Sequence, residues 1–437
     1  MQEKTGSALI WLRNDLRIND HHALFHATQK HQQVVAYYSF DPSHFELTKW
    51  GFKKTERYRA QFLIDTVEQL KEDLAFLNIT LIIDKESPKV GISYWSKELN
   101  ITALYFQEEW TWEEKERCQE VLDAIDKNIS IKSHFDQFLF HPDHLPFSAS
   151  STPEVFTVFR KKCEKFGTVS PCLPSPEAME KKNLLNQEFK VPNLAELGLH
   201  SIEKHPNSAF PFKGGSAAAH LRIQHYFWDT KKLSFYKQTR NGLIGIDYSS
   251  KLSAWLANGA ISAREIYWKT KKYEKEVGKN QSTYWLIFEL IWRDYFKFIS
   301  LKHGTKIFKI GGILEKQYDW KKSSKLFELW SQGTTLEPFV NANMIELNKT
   351  GWMSNRGRQN VASFLSKNLL LDWRMGAAYF ESLLIDYDVH SNYGNWMYVS
   401  GVGNDPRDRK FNVRLQAERY DSNGKYQRMW NQNTLFE

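Results

Sequence analysis

Short apolar segments alternate with longer amphipathic ones over roughly the first 135 residues, and this alternation limits the fold more than any other feature of the chain. Five segments rich in β-branched and aromatic residues predict strands, and the segments between them predict helices. The strand segments read ALIWL, VVAYYSF, TLIID, ALYFQ and ISIKSHF, and the helix segments read HHALFHATQK, TERYRAQFLIDTVEQLKEDLAFL, PKVGISYWSKEL and WEEKERCQEVLDAI. Such alternation requires a parallel sheet covered on both faces, so we predict a doubly wound α/β domain.

The loop after the first predicted strand argues against an ordinary dinucleotide site in this domain. It reads RNDLRIND and lacks the G-x-G-x-x-G pattern, whose glycines let the backbone approach a pyrophosphate. We therefore do not expect such a site here.

A change of composition marks the middle of the chain. Nine of the 13 prolines fall between residues 141 and 215, among Ser, Lys and Asn, which predicts a long and mostly irregular connector. We divide the chain into an α/β domain at residues 1–140, a Pro-rich linker at 141–215 and an all-helical domain at 216–437.

Helical periodicity dominates after the linker, to about Asp388. The segment STYWLIFELIWRDYFKFISLKHG predicts a helix that is capped by Ser282 and Thr283 and ends at Gly304. The segment NRGRQNVASFLSKNLLL follows Ser354 in the same way. We find no internal repeats and no convincing strands in this part.

Composition narrows the class of protein. No apolar run reaches 18 residues, which predicts no transmembrane helix, and the start MQEKTGSALIWLRNDLR does not resemble a secretory signal. Cys118, Cys163 and Cys172 are too scattered for a disulfide framework or a zinc site, so we expect no metal and a reducing, cytoplasmic compartment. The net charge of +8 favours an anionic partner, most often nucleic acid.

The segment LLIDYDVHSNYGNWMY places two carboxylates directly after an apolar run. A buried charge is costly unless it is paired, so Asp386 and Asp388 either face solvent at a helix end or have a partner. Arg358 is a candidate partner, because a bidentate Arg–carboxylate pair would keep Asp386 ionised in a dry site.

Glu289 is a carboxylate on an aromatic helix face. It shares that face with Trp285, Trp292 and Phe296, at spacings of four, three and seven residues. Either it pairs with a neighbouring arginine such as Arg293, or it hydrogen-bonds a ligand inside a cavity.

Two further groups have both a structural and a functional interpretation. Ser249, Ser250 and Ser253 stand at a predicted helix start, where hydroxyls and free N–H groups suit a phosphate but also serve as plain caps. Tryptophans recur near polar residues at Trp320, Trp373 and Trp396. They either pack in the core or, since indoles are readily oxidised, form a row that carries an electron.

Several motifs in fixed order resemble the photolyase and cryptochrome family, and within it the DASH branch. They are WLRNDLRINDHHAL and FDP, then TRNGLIGIDYSSKLSAWLANGAIS, STYWLIFELIWRDYF, GWMSNRGRQNVASFLSKNLLLDWRMGAAYFESLLIDYDVHSNYGNW and SGVGNDPRDRKFN. The resemblance runs from about residue 8 to the last residues and is weakest in the linker. It implies that residues 1–140 form an antenna domain and that the helical domain binds a folded FAD.

The resemblance also implies the roles of individual residues around FAD. Asp386 would pair with Arg358 beside the isoalloxazine ring, Asp388 would approach the ring and the ribityl or ribose hydroxyls, and Asn392 would face flavin N5. The family's threonine–serine pair in the pyrophosphate loop reads Ser-Ser here. The residues implied in FAD binding are Tyr236, Ser249, Ser250, Leu252, Ser253, Asn355, Arg358, Asp386, Asp388 and Asn392.

Substrate and electron-transfer roles follow from the same resemblance. The implied catalytic residues are Glu289, Trp292, Asn392 and Tyr398. The implied electron relay runs through Trp396, Trp373 and Trp320. Arg240 and Arg356 would hold DNA phosphates. Tyr398 stands where bacterial photolyases have a second lesion-facing tryptophan, which puts activity on duplex lesions in doubt.

The function implied is blue-light-driven repair of cyclobutane pyrimidine dimers, preferentially in single-stranded DNA, by electron transfer from excited reduced FAD. A photoreceptor with little repair activity is the alternative, and a flavin-free helical nucleic-acid-binding protein, which would be colourless, is a third. The end of the chain soon after the helical domain favours repair. The implied antenna pigment is 5,10-methenyltetrahydrofolate, with Glu109 or the neighbouring Glu108 as its contact.

Overall fold

A five-stranded parallel sheet forms the first part of the computed structural model, which describes residues 4–431. The strands are β1 (Ser7–Trp11), β2 (Gln33–Ser39), β3 (Leu81–Asp84), β4 (Ala103–Gln107) and β5 (Ser130–His134). Their order in the sheet is β3-β2-β1-β4-β5, so the chain reverses its winding direction between β1 and β4. Leu9 of β1 lies between Val35 of β2 and Leu104 of β4, and all three are buried. The predicted α/β domain is confirmed.

Four helices connect these strands, as the periodicity predicts. They are α1 (His22–Lys30), α2 (Arg57–Phe76), α3 (Pro88–Glu98) and α4 (Trp112–Ala124). Helix α1 packs on β1, β4 and β5, whereas α2 and α3 pack on the other half of the sheet.

The linker is mostly irregular, as predicted, apart from four single 3-10 turns and one α-helix that the sequence does not reveal, α5 (Phe156–Phe166). The linker is also well packed. Met179, Phe189 and Leu197 belong to the core of the α/β domain, whereas Phe156 and Phe159 belong to the core of the helical part. The limits at residues 140 and 215 stay our prediction of the domain boundaries.

The rest of the described chain is helical. The helices are α6 (Ser216–Ile223), α7 (Tyr236–Thr239), α8 (Ser253–Ala257), α9 (Ala263–Glu276), α10 (Gln281–His303), α11 (Ser324–Gln332), α12 (Pro338–Thr350), α13 (Asn355–Ser363), α14 (Trp373–Leu383), α15 (Val389–Ser400), α16 (Val413–Tyr420) and α17 (Lys425–Asn431). Among the described helices, none is long and apolar enough to cross a membrane.

The cap of the long helix α10 differs from the prediction. Asn280, not Ser282 or Thr283, is the N-cap, and its side chain accepts hydrogen bonds from the N–H groups of both. The Thr283 hydroxyl accepts in return from the Asn280 N–H, which completes a reciprocal capping box. The helix ends at Gly304, and Ser354 caps α13, both as predicted.

Buried ion pairs join the two halves of the molecule. Arg264 of α9 donates to Asp20 at 2.9 Å and to Asp136 at 2.7 Å, and all three side chains are almost fully buried. Asp294 of α10 accepts from the N–H groups of Leu139 and Phe140. These contacts fix α10, which carries several candidate site residues, against the sheet domain.

Candidate functional site

Two adjoining cavities open between the helices of the second half. The inner cavity, of about 260 Å³, is lined by Tyr236, the loop 248–253 and residues of α10, α13 and α15. The outer cavity, of about 440 Å³, is lined by aromatic residues of α10 and α15 and by residues of α13. They share Arg240, Glu289, Arg293, Asn355 and Ser391 as lining residues. Joined in this way, they reach the roughly 300–1,000 Å³ of small-molecule and cofactor sites.

Asp386 and Arg358 form an ion pair at the wall of the inner cavity. The Nη2 of Arg358 lies 2.9 Å from one carboxylate oxygen of Asp386 and 3.0 Å from the other. A single nitrogen therefore contacts both oxygens, whereas we expected a bidentate pair in which two nitrogens each contact one oxygen. The Ser253 hydroxyl donates to the same carboxylate at 2.7 Å. The buried carboxylate of Asp386 is therefore paired with a cation and a hydroxyl.

Asp388 has a partner that the sequence does not reveal. The buried Nζ of Lys297 on α10 lies 3.0 Å from its Oδ2, and its Oδ1 caps α15 by accepting from the Ser391 N–H. Burial alone would raise the pKa of Asp388, but Lys297, His390 and Arg293 hold it well below the ordinary value. Asp388 is thus ionised and also lines the inner cavity.

The serine loop ahead of α8 has unused hydrogen-bond donors. Helix α8 begins at Ser253, so Ser249 and Ser250 lie in the loop and not at the helix start that we expected. Within the described chain, the backbone N–H groups of residues 249–252 donate to no other residue. Arg222 donates to the carbonyls of Ser249 and Ser250, which fixes the loop, and Lys251 has φ +63°. Successive free N–H groups around a left-handed residue make an anion-binding concavity.

Glu289 pairs with Arg240, not with Arg293 as one interpretation of the sequence had it. The Arg240 Nη2 lies 2.9 Å from Glu289 Oε1, whereas Arg293 donates to the carbonyls of Gln137 and Leu256. Burial raises the pKa of Glu289, and the adjacent Arg240 opposes that shift. Both members of the pair line both cavities, so Arg240 is not a free surface cation.

Aromatic side chains shape the outer cavity. Trp292 stacks on Phe156 of α5 at 3.6 Å between ring centroids, and Tyr398 meets its ring edge-on at 6.0 Å. Arg356 lines the same cavity and donates to Gln359 at 2.8 Å. Gln359 is a lining residue that the sequence analysis missed, since a helical glutamine has no distinguishing signal.

Asn392 lies half-buried on α15, next to Ser391. Its Nδ2 donates to the Ala377 carbonyl at 2.9 Å. No hydrogen bond reaches its Oδ1 from the described residues, so this oxygen remains available as an acceptor.

The three predicted relay tryptophans differ in burial, and contacts along the chain bring them near one another. Trp396 and Trp373 are buried, whereas Trp320 is half-buried. Trp396 packs against Gly376, one turn along α14 from Trp373. Trp320 precedes Lys321, whose N–H donates to the Leu370 carbonyl just ahead of Trp373.

A third cavity of about 480 Å³ lies between the sheet domain and the helices, beside the ends of β1 and β4. This is the point where the winding of the sheet reverses, the usual ligand position in such sheets. Glu109 lines the cavity, but its carboxylate already accepts from Gln107, Asn14 and Gln137. Glu108 does not line it.

Glu114 is a carboxylate of this cleft that the sequence analysis missed, and it has an oxygen that is unpaired within the described chain. Its Oε2 is buried and has no hydrogen-bond partner among the described residues. Burial, and then the charge of Glu109, raise its pKa to about 8, so Glu114 carries a proton at neutral pH and presents a donor.

Comparisons with known proteins agree with this architecture. The model of the DNA photolyase family matches residues 8–179, and that of the FAD binding domain of DNA photolyase matches residues 285–433. The proteins named Cryptochrome DASH from Gloeobacter violaceus and Danio rerio are each 46% identical to this chain. The alignments cover 98% and 96% of this chain and 85% and 82% of the relatives.

Solved structures show the same fold. A crystal structure of a Synechocystis sp. cryptochrome superposes with a TM-score of 0.94 at 44% identity, covering 98% of this chain and 89% of the other. A bacterial class III photolyase from Agrobacterium tumefaciens, at 24% identity, covers 98% of this chain and 87% of the other with a TM-score of 0.81, and it shares the fold. The chain therefore belongs to the photolyase and cryptochrome family, within its DASH cryptochrome branch.

Proposed function

We propose that the chain uses FAD and blue light to split cyclobutane pyrimidine dimers, with a preference for single-stranded DNA. The observation that carries the proposal is the pair of joined cavities. The inner one is rich in cations and unused N–H donors, the outer one is walled by aromatic rings, and Glu289 and Arg240 stand where they meet.

The residues of the inner cavity fit FAD. Four basic side chains, of Arg240, Lys251, Arg293 and Arg358, line it together with the three carboxylates of Glu289, Asp386 and Asp388. The free N–H groups of residues 249–252 and these basic side chains suit a diphosphate. Tyr236 and Leu252 supply apolar contact. Asn392 does not itself line the cavity, but it follows the lining residue Ser391, and its free Oδ1 suits a ring N–H.

FAD, when bound and reduced, supplies a light-driven one-electron donation to the dimer. The protein must therefore hold the dimer beside the ring and stabilise charge on it. Trp292 and Tyr398 line the outer cavity and offer aromatic contact to extruded bases. Glu289 and Arg240 place donors and charge at the junction, where a dimer carbonyl would lie.

Tyr398 is the basis for the preference for single strands. A dimer must leave the base stack, which costs a few kcal/mol in a duplex and much less in a single strand. A tyrosine is a smaller wedge than the tryptophan of bacterial photolyases, so it offsets less of that cost. Arg356, which lines the outer cavity, is placed to meet the strand's phosphates.

The tryptophans and the cleft complete the proposal. An electron would pass inwards from the half-buried Trp320 through the two buried tryptophans, Trp373 and then Trp396. The cleft between the domains would hold a folate antenna, 5,10-methenyltetrahydrofolate, with Glu109 and Glu114 as polar contacts. The free thiols of Cys118, Cys163 and Cys172 fit a reducing compartment such as the cytoplasm.

A blue-light receptor remains the second candidate, because the same line of tryptophans would serve photoreduction in a signalling protein. The relatives are named cryptochromes, which is consistent with either role.

The proposal is tested by irradiating the purified protein with a single-stranded oligonucleotide that contains one thymine dimer. We expect light-dependent loss of the dimer, none in the dark, and a decrease of about 10²-fold in Glu289→Gln. Lys232→Met, at an exposed position outside both cavities, is the control. FAD bound without any light-dependent repair would favour the receptor.

A further inference from the structure

The basic side chains that line the inner cavity differ in whether a neighbouring group forms an ion pair or a hydrogen bond with them. Arg240 and Arg358 each face a carboxylate, and Arg293 donates to two backbone carbonyls. Lys251 lines the same cavity, yet its Nζ is buried and has no hydrogen-bond partner among the described residues. An unpaired buried ammonium is costly, so this lysine requires an explanation.

Two aromatic rings lie against the Lys251 amino group, and no hydrogen-bond acceptor within the described part of the chain reaches it. Its Nζ lies 3.2 Å from the ring centroid of Tyr248 and 4.8 Å from that of Trp352, and the residue is only 2% exposed. Aromatic faces attract a cation but supply no hydrogen-bond acceptor of the kind that water does. Lys251 also sits within the serine loop, between the free N–H groups of Ser250 and Leu252.

Glu346 has the largest electrostatic effect on Lys251 of any carboxylate, yet it is a weak countercharge. Glu346 of α12 is fully buried, its Oε2 accepts from the Tyr426 hydroxyl at 2.6 Å, and its Oε1 has no hydrogen-bond partner among the described residues. Burial raises the pKa of Glu346 to about 7, so this carboxyl is only partly ionised near neutrality. Glu346 acts on Lys251 only through its charge, and an anion in the cavity would supply the countercharge that the lysine lacks.

We propose that Lys251 is the countercharge for the diphosphate of FAD, and that its side chain takes up a proton when this dianion binds. The proposal rests on the proposed function, in which the inner cavity binds FAD, and it makes Lys251 the residue whose charge balances that of the diphosphate. The bond formed is a charge-assisted hydrogen bond from the ammonium to a phosphate oxygen, and the proton comes from solvent.

The surroundings of Lys251 give the direction of the pH dependence. Burial lowers its pKa well below the ordinary value. The charged groups that face it are Glu346 of α12 and Asp386, which raise the pKa, and Arg222 of α6 and Arg358 of α13, which lower it. A bound dianion raises the pKa. Binding therefore takes up a proton above the pKa of the flavin-free state, and FAD affinity falls as pH rises.

The test compares FAD release from the purified holoprotein between pH 6 and 9, followed by the fluorescence of the freed flavin. Lys251→Met keeps the stem and removes the charge. We expect its FAD dissociation constant to rise about 10- to 100-fold at pH 6, with a flatter pH profile than the parent. Lys237→Met is the matched control, since that lysine also stacks on an indole, Trp285, but does not line the inner cavity.

Calorimetry of FAD rebinding in two buffers with different ionisation heats measures the proton directly. The parent should take up a fraction of one proton at pH 8, and Lys251→Met should take up less. If Lys251→Met does not fold, Glu346→Gln gives the answer, because loss of this carboxylate should move the decrease in affinity to lower pH. FAD binding in Lys251→Met with the parent's affinity and profile, or an unchanged profile in Glu346→Gln, would overturn the inference. A parent protein that binds no FAD would instead overturn the proposed function.

Discussion

At the scale of single residues, Asp388 stabilises two different neighbours, and two substitutions separate them. Asp388→Asn keeps an N-cap for α15 but leaves the buried Lys297 without a countercharge, whereas Asp388→Ala removes both. We expect both variants to lose FAD. The free energy of unfolding of the alanine variant should be lower by a further amount of about 0.5–2 kcal/mol, which is the usual contribution of an N-cap. The measurements are released FAD per protein and denaturant unfolding. Stoichiometric FAD in Asp388→Ala would show that the ring is placed wrongly.

Trp396 is the residue to replace in a test of the relay. Trp396→Phe fills nearly the same volume, but phenylalanine is much harder to oxidise, so photoreduction of the bound flavin by blue light and an external reductant should slow severely. Trp373→Phe and Trp320→Phe should also slow it, with FAD content retained. Trp268→Phe, a partly exposed tryptophan far along the chain from these, should react like the parent. A parent-like rate in Trp396→Phe would mean that electrons take another route.

Sequence reasoning reaches some of these residues and misses others for a physical reason. The carboxylate of Asp386 follows an apolar run, so it needs a cation, and Arg358 in a nearby motif is a natural choice. Lys297 is 91 positions away from Asp388 and looks like any helical lysine, so only the fold reveals the pair. The choice of Arg240 over the adjacent Arg293 as the partner of Glu289 likewise depends on how α7 meets α10.

At the scale of elements, the close approach of α14 to α15 depends on Gly376. A Cβ there would lie 2.2 Å from Cη2 of Trp396, within the packed interior. Alanine would favour the helix by about 1 kcal/mol, but overpacking costs about 1–3 kcal/mol. We expect Gly376→Ala to lower the melting temperature and to change the near-ultraviolet circular dichroism, because the Trp396 ring must move. A more stable variant with an unchanged spectrum would contradict this packing.

Elements with strong periodicity are predictable from the sequence, and those that depend on tertiary contacts are not. The runs ALYFQ and PKVGISYWSKEL match β4 and α3 to within a residue, because buried strands and amphipathic helices have distinct periods. Helix α5 lies in a Pro-rich stretch and is held by Phe156 and Phe159 in the core of the helical part. Its formation therefore depends on partners that the local sequence does not contain.

At the scale of the whole molecule, the cleft between the domains should make stability depend on pH through Glu114. Its pKa of about 8 in the folded protein lies above the ordinary value near 4.3, so its stabilising contribution is present at low pH and lost as pH rises through 8. The melting temperature of Glu114→Gln should therefore decrease less than that of the parent when the pH is raised from 5 to 9. Glu116→Gln, at an exposed position of the same cleft, is the control. Parallel curves for parent and Glu114→Gln would contradict the buried, protonated state.

The excess of basic residues should appear in the salt dependence of DNA binding. The chain has 59 basic and 51 acidic residues, and Arg356 lines the outer cavity. Affinity for a single strand should fall with salt at a log–log slope of about −0.7 per phosphate contact. Arg356→Gln should reduce the slope by about that amount if it makes one contact. An unchanged slope would remove Arg356 from the phosphate contacts.

We propose above all that the protein, with FAD in the inner cavity and the dimer in the outer one, repairs dimers in single-stranded DNA. The most direct measurement gives the reduced protein equal light and the same thymine dimer in single-stranded and in duplex DNA, with affinity for each measured separately. If Tyr398 contacts the extruded dimer as we propose, it should offset less of the cost of extrusion than a tryptophan would, so we predict efficient repair in the single strand and weak repair in the duplex. Equal repair of both at equal occupancy, or repair of neither by a flavin-loaded and photoreducible protein, would contradict the claim.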